Sequence, residues 1–133
     1  MKETESPQQS GKSLPRDSGG TLITTDLVAL ALELKGEENW QKSGRGSRTI
    51  YKSEAMRILL NVMQAGTEIK PHQAPGPISV QVVEGSIRFN TETETVVLTK
   101  GQLLTLQEHV RHSVEALEEA AFLLTVSLLT SKR

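Results

Sequence analysis

Cysteine is absent from the chain, and aromatic residues make up only 3% of its 133 residues. The absence of cysteine excludes disulfide frameworks, thiol nucleophiles and thiolate metal ligands, and it is compatible with a reducing compartment. With so few aromatic side chains, stacking surfaces for nucleic-acid bases or sugars are not expected. These two shortages exclude several classes of enzyme and binding protein before any motif is considered.

The chain also lacks an excess of charge of one sign and a long apolar segment. Its formal net charge is −1, whereas a nucleic-acid-binding protein usually carries a basic surplus. No apolar run approaches the ~18–20 residues that span a bilayer, and the N-terminus has no apolar segment typical of a secretory signal. We therefore expect a soluble, cytoplasmic protein that binds neither nucleic acid nor a membrane.

The remaining composition divides the chain into two parts. Residues 1–20 consist mainly of Ser, Gly, Pro, Gln and charged residues, and they offer little apolar surface to bury. They are predicted to form a disordered tail, because burial cannot offset the entropy lost on ordering. Residues 21–133 are sufficient for a single domain with its own hydrophobic core.

One short amphipathic helix is predicted at the start of this domain, over about 26–35, because leucines recur there at helical spacing before Gly36. The segment 43–47 (SGRGS) is predicted to be a loop. Its basic surroundings would suit a phosphate, but the strand-to-helix setting of phosphate-binding loops is missing. Trp40 is expected to fill the space between the helix and the rest of the domain.

From residue 48 onward the pattern changes to short strands separated by turn residues, which is typical of an all-β sandwich or barrel. The segment 78–89 (ISVQVVEGSIRF) is predicted to be a β-hairpin that turns at Gly85. The predicted strands are 48–52, 55–64, 67–72, 77–84, 86–90, 94–99, 102–106, 112–117 and 120–129.

The last of these strands, 120–129, is apolar at nearly every residue. A strand of this kind should be covered on both faces. The barrel interior would cover one face, and either the N-terminal helix or a second subunit would cover the other. A homodimer is the preferred expectation, because a long apolar edge left open would invite aggregation.

Two stretches anchored by glycine carry most of the functional signal, and the first resembles the first motif of the cupin superfamily. That motif runs Gly, five residues, His-x-His, three or four residues, Glu, six residues, Gly. Gly66, His72 and Gly85 fall in register with it. Ala74 stands at the position of the second His, and Ile78 stands at the position of the Glu.

The second stretch is similar to the second cupin motif, which runs Gly, five residues, Pro-x-Gly, two residues, His, three residues, Asn. Gly101 and His112 fall in register with it. The Pro, Gly and Asn positions are occupied by Gln107, His109 and Ala116. Together the two resemblances cover about residues 50–129.

The resemblance implies an all-β domain, a single cupin-type double-stranded β-helix or jelly-roll barrel formed by about 48–129 and preceded by the short helix. Cupins commonly dimerise and typically hold a divalent iron, manganese, nickel or zinc ion on three His and one carboxylate. Only His72 and His112 remain of those four ligands. Catalytic sites for such metals typically have three protein ligands, so a tight site would need a further one. His109, three residues before His112, is the best candidate.

Two functions follow from this incomplete set. The preferred one is a small-molecule-binding cupin without a cofactor, whose pocket contains Ala74, Ile78 and Val80 beside the two histidines. The alternative is a metal-dependent enzyme of the dioxygenase or isomerase type. It would use His72 and His112 to hold a divalent transition metal, with His109, water or substrate completing the shell. A scaffold that binds a protein partner is a third class. The sequence indicates no catalytic residue and leaves the question of enzymatic activity open.

Overall fold

The computed structural model describes residues 21–128, which form two short helices and nine strands. The predicted tail, 1–20, and the last residue of the final predicted strand lie outside the described residues. The elements are α1 (Leu27–Lys35), α2 (Glu38–Ser43), β1 (Arg45–Lys52), β2 (Met56–Met63), β3 (Glu68–His72), β4 (Ile78–Glu84), β5 (Ser86–Thr91), β6 (Thr95–Thr99), β7 (Leu103–Leu106), β8 (His112–Ala116) and β9 (Ala120–Ser127).

The predicted N-terminal helix is confirmed as α1. It begins after Asp26, whose carboxylate accepts a hydrogen bond of 3.0 Å from the Ala29 backbone N–H. This contact satisfies one of the free donors at the helix start.

The expectation of a single helix was wrong, since α2 follows α1 directly. Six residues are too few to show a helical period, which explains why the sequence pattern missed α2. The helix ends at Gly44 with φ 79°, and β1 begins at the next residue, so most of the predicted loop at 43–47 belongs to regular structure. Trp40 lies in α2 with 7% exposure and fills the space between helices and strands, as predicted.

The strands form two antiparallel sheets. The first sheet has five strands in the order β1-β2-β9-β4-β7, and the second sheet has four in the order β3-β8-β5-β6. The prediction of a mainly β domain is therefore confirmed. Hydrogen bonding among the described strands produces these two sheets rather than one closed barrel, so the closed jelly-roll barrel stays a prediction. Neither described helix is long and apolar enough to cross a membrane.

The predicted hairpin at 78–89 was wrong, although both of its strands exist. β4 belongs to the first sheet and β5 to the second, so the chain changes sheets at Gly85 instead of folding back on itself. Gly85 has φ 76°, and a Cβ atom there would lie 2.1 Å from the carbonyl oxygen of Glu119. Glycine is required at this corner because the chain bends sharply while touching the backbone that enters β9.

Two buried clusters hold the domain together. One lies between the two sheets, and the other lies between the first sheet and the helices. β9 contributes to both, since Phe122 belongs to the first cluster and Ala121 to the second. Both faces of the apolar strand β9 are thus covered within one chain. One face packs into the cluster between the two sheets, and the other packs against the cluster that contains α1. The apolar character of β9 therefore no longer argues for a homodimer. The homodimer stays a prediction, which sedimentation equilibrium would test.

Candidate functional site

The pairing of β3 with β8 brings His72 and His112 side by side, although forty residues separate them in the sequence. The two residues are register partners, and their ring centroids lie 4.4 Å apart at an interplanar angle of 58°. Alternation along β8 places His112 and Val114 on the buried face, because successive side chains of a strand point to opposite sides. The pairing of the two strands therefore places these histidines in contact.

Each imidazole donates a hydrogen bond to the backbone carbonyl two residues before it. The Nδ1 atom of His72 lies 2.9 Å from the Lys70 carbonyl oxygen, and that of His112 lies 2.9 Å from the Val110 carbonyl oxygen. A carbonyl oxygen only accepts, so Nδ1 carries the proton in each neutral ring, and the lone pair is at Nε2. Within residues 21–128 neither Nε2 atom has a protein hydrogen-bond partner. Both Nε2 atoms are thus available to a ligand.

Phe89 of β5 stacks on His112, with ring centroids 5.2 Å apart and planes 12° from parallel. His112 is 5% exposed, whereas His72 is exposed. Burial lowers the pKa of His112 below its ordinary value; the hydrogen bond to the Val110 carbonyl opposes this shift in part, and the neighbouring His72 adds a smaller lowering effect. The buried ring is consequently favoured in its neutral form.

A cavity of about 430 Å³ opens next to this pair, between the two sheets. Its size falls within the ~300–1,000 Å³ typical of small-molecule sites. Apolar side chains from both sheets form one part of its lining, and polar side chains from β1, β2 and α2 form another. The lining residues are Asn39, Ser43, Arg45, Gly46, Ser47, Asn61, Val62, Met63, Ile69, His72, Ile78, Val80, Phe89, His112, Val114, Phe122 and Leu124.

The polar part of the lining was missed from the sequence. Arg45 and Ser47 fall in the segment that was interpreted as a loop, whereas they lie on β1 and face the cavity. Asn61 of β2 is the register partner of Ser47 and lines the same cavity. The available signal was the alternation of polar side chains at 45, 47 and 49, which becomes informative only once this segment is read as a strand.

Only some of the residues predicted to form the pocket line the cavity. Ile78 and Val80 line the cavity, on the buried face of β4. Ala74 follows the end of β3 and packs against the core between the sheets, outside the cavity lining. His109 is exposed with φ 64°, and its backbone N–H donates to the Ala74 carbonyl oxygen at 3.0 Å. The structure thus does not bring His109 into the lining, and its role as a metal ligand stays a prediction.

The donor set does not fit a catalytic metal ion. Within the described part of the chain, no group of three or more His, Cys, Asp or Glu side chains is arranged to hold one. Ile78, at the position of the expected carboxylate ligand, is a buried wall of the cavity and has no donor atom. Two imidazoles fall short of the three protein ligands that catalytic zinc or iron sites typically have.

The burial of His112 predicts a pH-dependent stability. The unfolded chain takes up a proton at His112 near pH 6.5, while the folded chain resists protonation until a lower pH. The unfolded state therefore binds more protons below about pH 6.5, and the free energy of unfolding should fall as the pH decreases from 6.5 towards the lower folded-state pKa. Urea titrations between pH 5 and 8 measure this dependence.

The variant His112→Gln should flatten that profile, because it removes the titrating ring. His109→Asn is the matched control, since it removes an exposed histidine and asparagine tolerates the positive φ angle at this position. An unchanged profile in His112→Gln would show that another group causes the pH dependence.

No protein-family model matches the sequence, and comparison with curated proteins finds no match. Similar solved structures exist, however. A conserved protein of unknown function from Streptococcus pyogenes has a TM-score of 0.66 at 20% identity, over 92% of this chain and 100% of that one. A cupin superfamily protein from Desulfitobacterium hafniense has a TM-score of 0.68 at 16% identity, over 89% and 97% of the two chains.

An enzyme is also among the similar structures. Salicylate 1,2-dioxygenase from Pseudoaminobacter salicylatoxidans has a TM-score of 0.62 at 20% identity, over 75% of this chain and 31% of the dioxygenase. At such identities a likeness in structure shows the fold, whereas function depends on the site. The two antiparallel sheets and these neighbours agree with the two glycine-anchored motifs, and the chain therefore has the fold of the cupin superfamily.

Proposed function

We propose that this chain binds a small organic molecule in the cavity between its two sheets, which corresponds to the interior of a jelly-roll barrel. The observation that carries the proposal is the cavity of about 430 Å³, with an apolar part and a few convergent polar groups. Sites of this composition hold a ligand by apolar burial and orient it by hydrogen bonds.

The apolar part of the cavity comes from both sheets. Val80, Phe122 and Leu124 belong to the first sheet, and Phe89 and Val114 belong to the second. A ligand between them would lose water on both sides, and burial of apolar surface stabilises a complex by about 25 cal/mol per Å² before the costs of association.

The histidines supply the most directional contacts in this cavity. With Nδ1 bonded to backbone carbonyl oxygens, each Nε2 atom can accept a hydrogen bond from a ligand hydroxyl or amide. The contact with His112 and the backbone bond to Lys70 restrain the ring of His72. The pair would therefore present its acceptors in a preorganised arrangement, which reduces the entropic cost of binding.

A metal-dependent enzyme, by analogy with the dioxygenase among the similar structures, has weaker support. The free Nε2 atoms are in its favour, because metal-ligating histidines usually donate the other ring N–H to a carbonyl or carboxylate. The missing third ligand is against it. We therefore propose no reaction, and we use metal content to separate the two functions.

The proposal is tested by screening a small-molecule fragment library against the ¹⁵N-labelled full-length chain by NMR. We expect binders whose shift changes cluster at the cavity lining. The variant Leu124→Trp should abolish this binding, because a larger side chain would fill the cavity from a half-buried lining position. Leu103→Trp is the matched control, since Leu103 is exposed on β7 of the same sheet and lies outside the lining.

Two results would contradict the proposal. One is a library that yields no fragment at the cavity, or only fragments that bind Leu124→Trp as well as the wild type. The other is near-stoichiometric metal in tag-free protein that disappears in the double variant His72→Ala/His112→Ala, which would establish the metal-dependent alternative. Circular dichroism of each variant verifies that it is folded.

A further inference from the structure

The face of β1 that carries Arg45 and Ser47 differs from the buried faces of its neighbours in the first sheet, since both residues are exposed. Arg45 and Ser47 line the cavity from this strand, whereas β4 contributes Ile78 and Val80, and β9 contributes Phe122 and Leu124. Among the described strands, β1 lies at an edge of the first sheet and pairs only with β2. The cavity is therefore polar along one edge and apolar across its centre.

The other face of β1 packs against the helices and the residues that follow α1. Arg48 forms ion pairs with Glu33 of α1 and with Glu37, and Ile50 packs against the cluster beneath the helices. These contacts orient the strand, and by alternation they direct Arg45 to the opposite side. The orientation of Arg45 thus follows from the packing of its neighbours.

Arg45 has no carboxylate partner among the described residues. Within the same range, the one hydrogen bond of its guanidinium group is a long contact of 3.4 Å from Nη1 to the Glu68 carbonyl oxygen of β3, an edge strand of the second sheet. A guanidinium group has five N–H donors, so most of them are available to another acceptor. Arg48, three residues later and on the opposite, helix-facing side of β1, is by contrast held by two glutamates.

The charge of the lining is unbalanced. Its ionisable side chains are Arg45, His72 and His112, and no Asp or Glu is among the lining residues of the described chain. Arginine stays protonated at any physiological pH. The cavity therefore presents one permanent positive charge, with the neutral donors of Ser47 and Asn61 beside it.

We propose that the ligand of this cavity is an amphipathic organic monoanion whose carboxylate binds Arg45 and whose apolar body lies against Val80, Phe122 and Leu124. This inference rests on the proposed function and specifies the chemical class of the ligand. The planar fork of arginine matches a carboxylate in a bidentate arrangement. One permanent positive charge suits a carboxylate better than a phosphate monoester, which carries nearly two negative charges at neutral pH.

The inference is tested with matched pairs of probes that differ only in charge. Hexanoate, phenylacetate and 4-phenylbutyrate are each titrated beside their primary amides into the ¹⁵N-labelled full-length chain at pH 7.5. We expect the acids to bind about tenfold more tightly than the amides, as a charge-assisted hydrogen bond exceeds a neutral one by that order. Shift changes should cluster at the cavity lining.

Three variants assign the preference to Arg45. Arg45→Gln should make acids and amides bind equally, while Arg45→Lys should retain part of the preference because the charge remains. Lys52→Gln is the matched control, since it removes one positive charge from an exposed position on the same strand, outside the lining. It should leave the preference for acids intact.

The outcomes separate this inference from the proposed function. Equal affinity of acids and amides for the wild type, or an undiminished preference in Arg45→Gln, would overturn the monoanion inference and leave a small-molecule cavity in place. Failure of all acids and all amides to bind at the cavity would overturn both.

Discussion

Replacing Gly85 with alanine is expected to lower the free energy of unfolding by about 3–5 kcal/mol, or to prevent folding altogether. Two effects add at this position. The φ angle of 76° is unfavourable for a residue with a side chain, at a cost of about 1–2 kcal/mol. The new Cβ atom would also lie 2.1 Å from the Glu119 carbonyl oxygen and 2.9 Å from the Ala120 Cα atom.

The backbone near Gly85 cannot easily move away from a new methyl group. Glu119 immediately precedes β9, the central strand of the first sheet. Lys35 at the end of α1 also bridges both sides of the corner, at 2.5 Å from Glu84 and 2.7 Å from Glu119. Relief of the clash would therefore disturb the sheet and its attachment to α1.

Gly66→Ala is the matched control for this corner. Gly66 has a similar φ of 87°, but a Cβ atom there would meet no atom within 4 Å. Only the backbone cost of about 1–2 kcal/mol should appear. Urea unfolding of both variants measures the difference, and equal destabilisation would show that the close approach to Glu119 is not a significant constraint.

The variant Leu34→Ala is expected to destabilise the chain by about 2–5 kcal/mol, the range for truncation of a fully buried leucine. Leu34 is 0% exposed and lies in the cluster that joins α1 to Leu60, Val62 and Ala121 of the first sheet. The loss of its side chain leaves a cavity between helix and sheet that the surrounding strands can fill only in part.

Leu32→Ala serves as the control on the same helix, because Leu32 is 66% exposed. Its effect should stay within about 0.5 kcal/mol. Thermal and urea unfolding of both variants test the comparison. A small effect of Leu34→Ala would mean that α1 is dispensable for the fold, which would leave the outer face of β9 available to a second subunit.

The local structure was largely predictable, since it depends on neighbouring residues. The period of leucines in α1 and the glycines between strands identify most elements to within a few residues, and the burial pattern of β4 follows its alternating side chains. The sequence pattern did not predict α2, because a helix of six residues is too short to show a helical period. The false hairpin at Gly85 shows a different limit: a turn glycine marks a change of direction but does not indicate which strand the chain pairs with next.

Only part of the candidate site could be predicted from the sequence. The motif positions identify His72 and His112 as a pair, together with the apolar replacement at Ile78, because each motif is a short stretch of chain. Arg45 precedes the stretch of 50–129 that the motifs cover, and its segment has no distinctive spacing. The polar edge of the cavity, and hence the expected charge of its ligand, became apparent only when β1 was placed beside β2.

The sequence by itself determined the mainly β character of the domain, the position of α1 and the loss of two expected metal ligands, since these depend on residue type and local spacing. The tertiary structure alone decided that His72 and His112 are register partners, that β4 and β5 lie in different sheets, and that Arg45 faces the cavity. Those features depend on pairing between strands that are distant in sequence. Many segments of similar apolar pattern could pair locally, and only the packing of both sheets and α1 around shared clusters selects one arrangement.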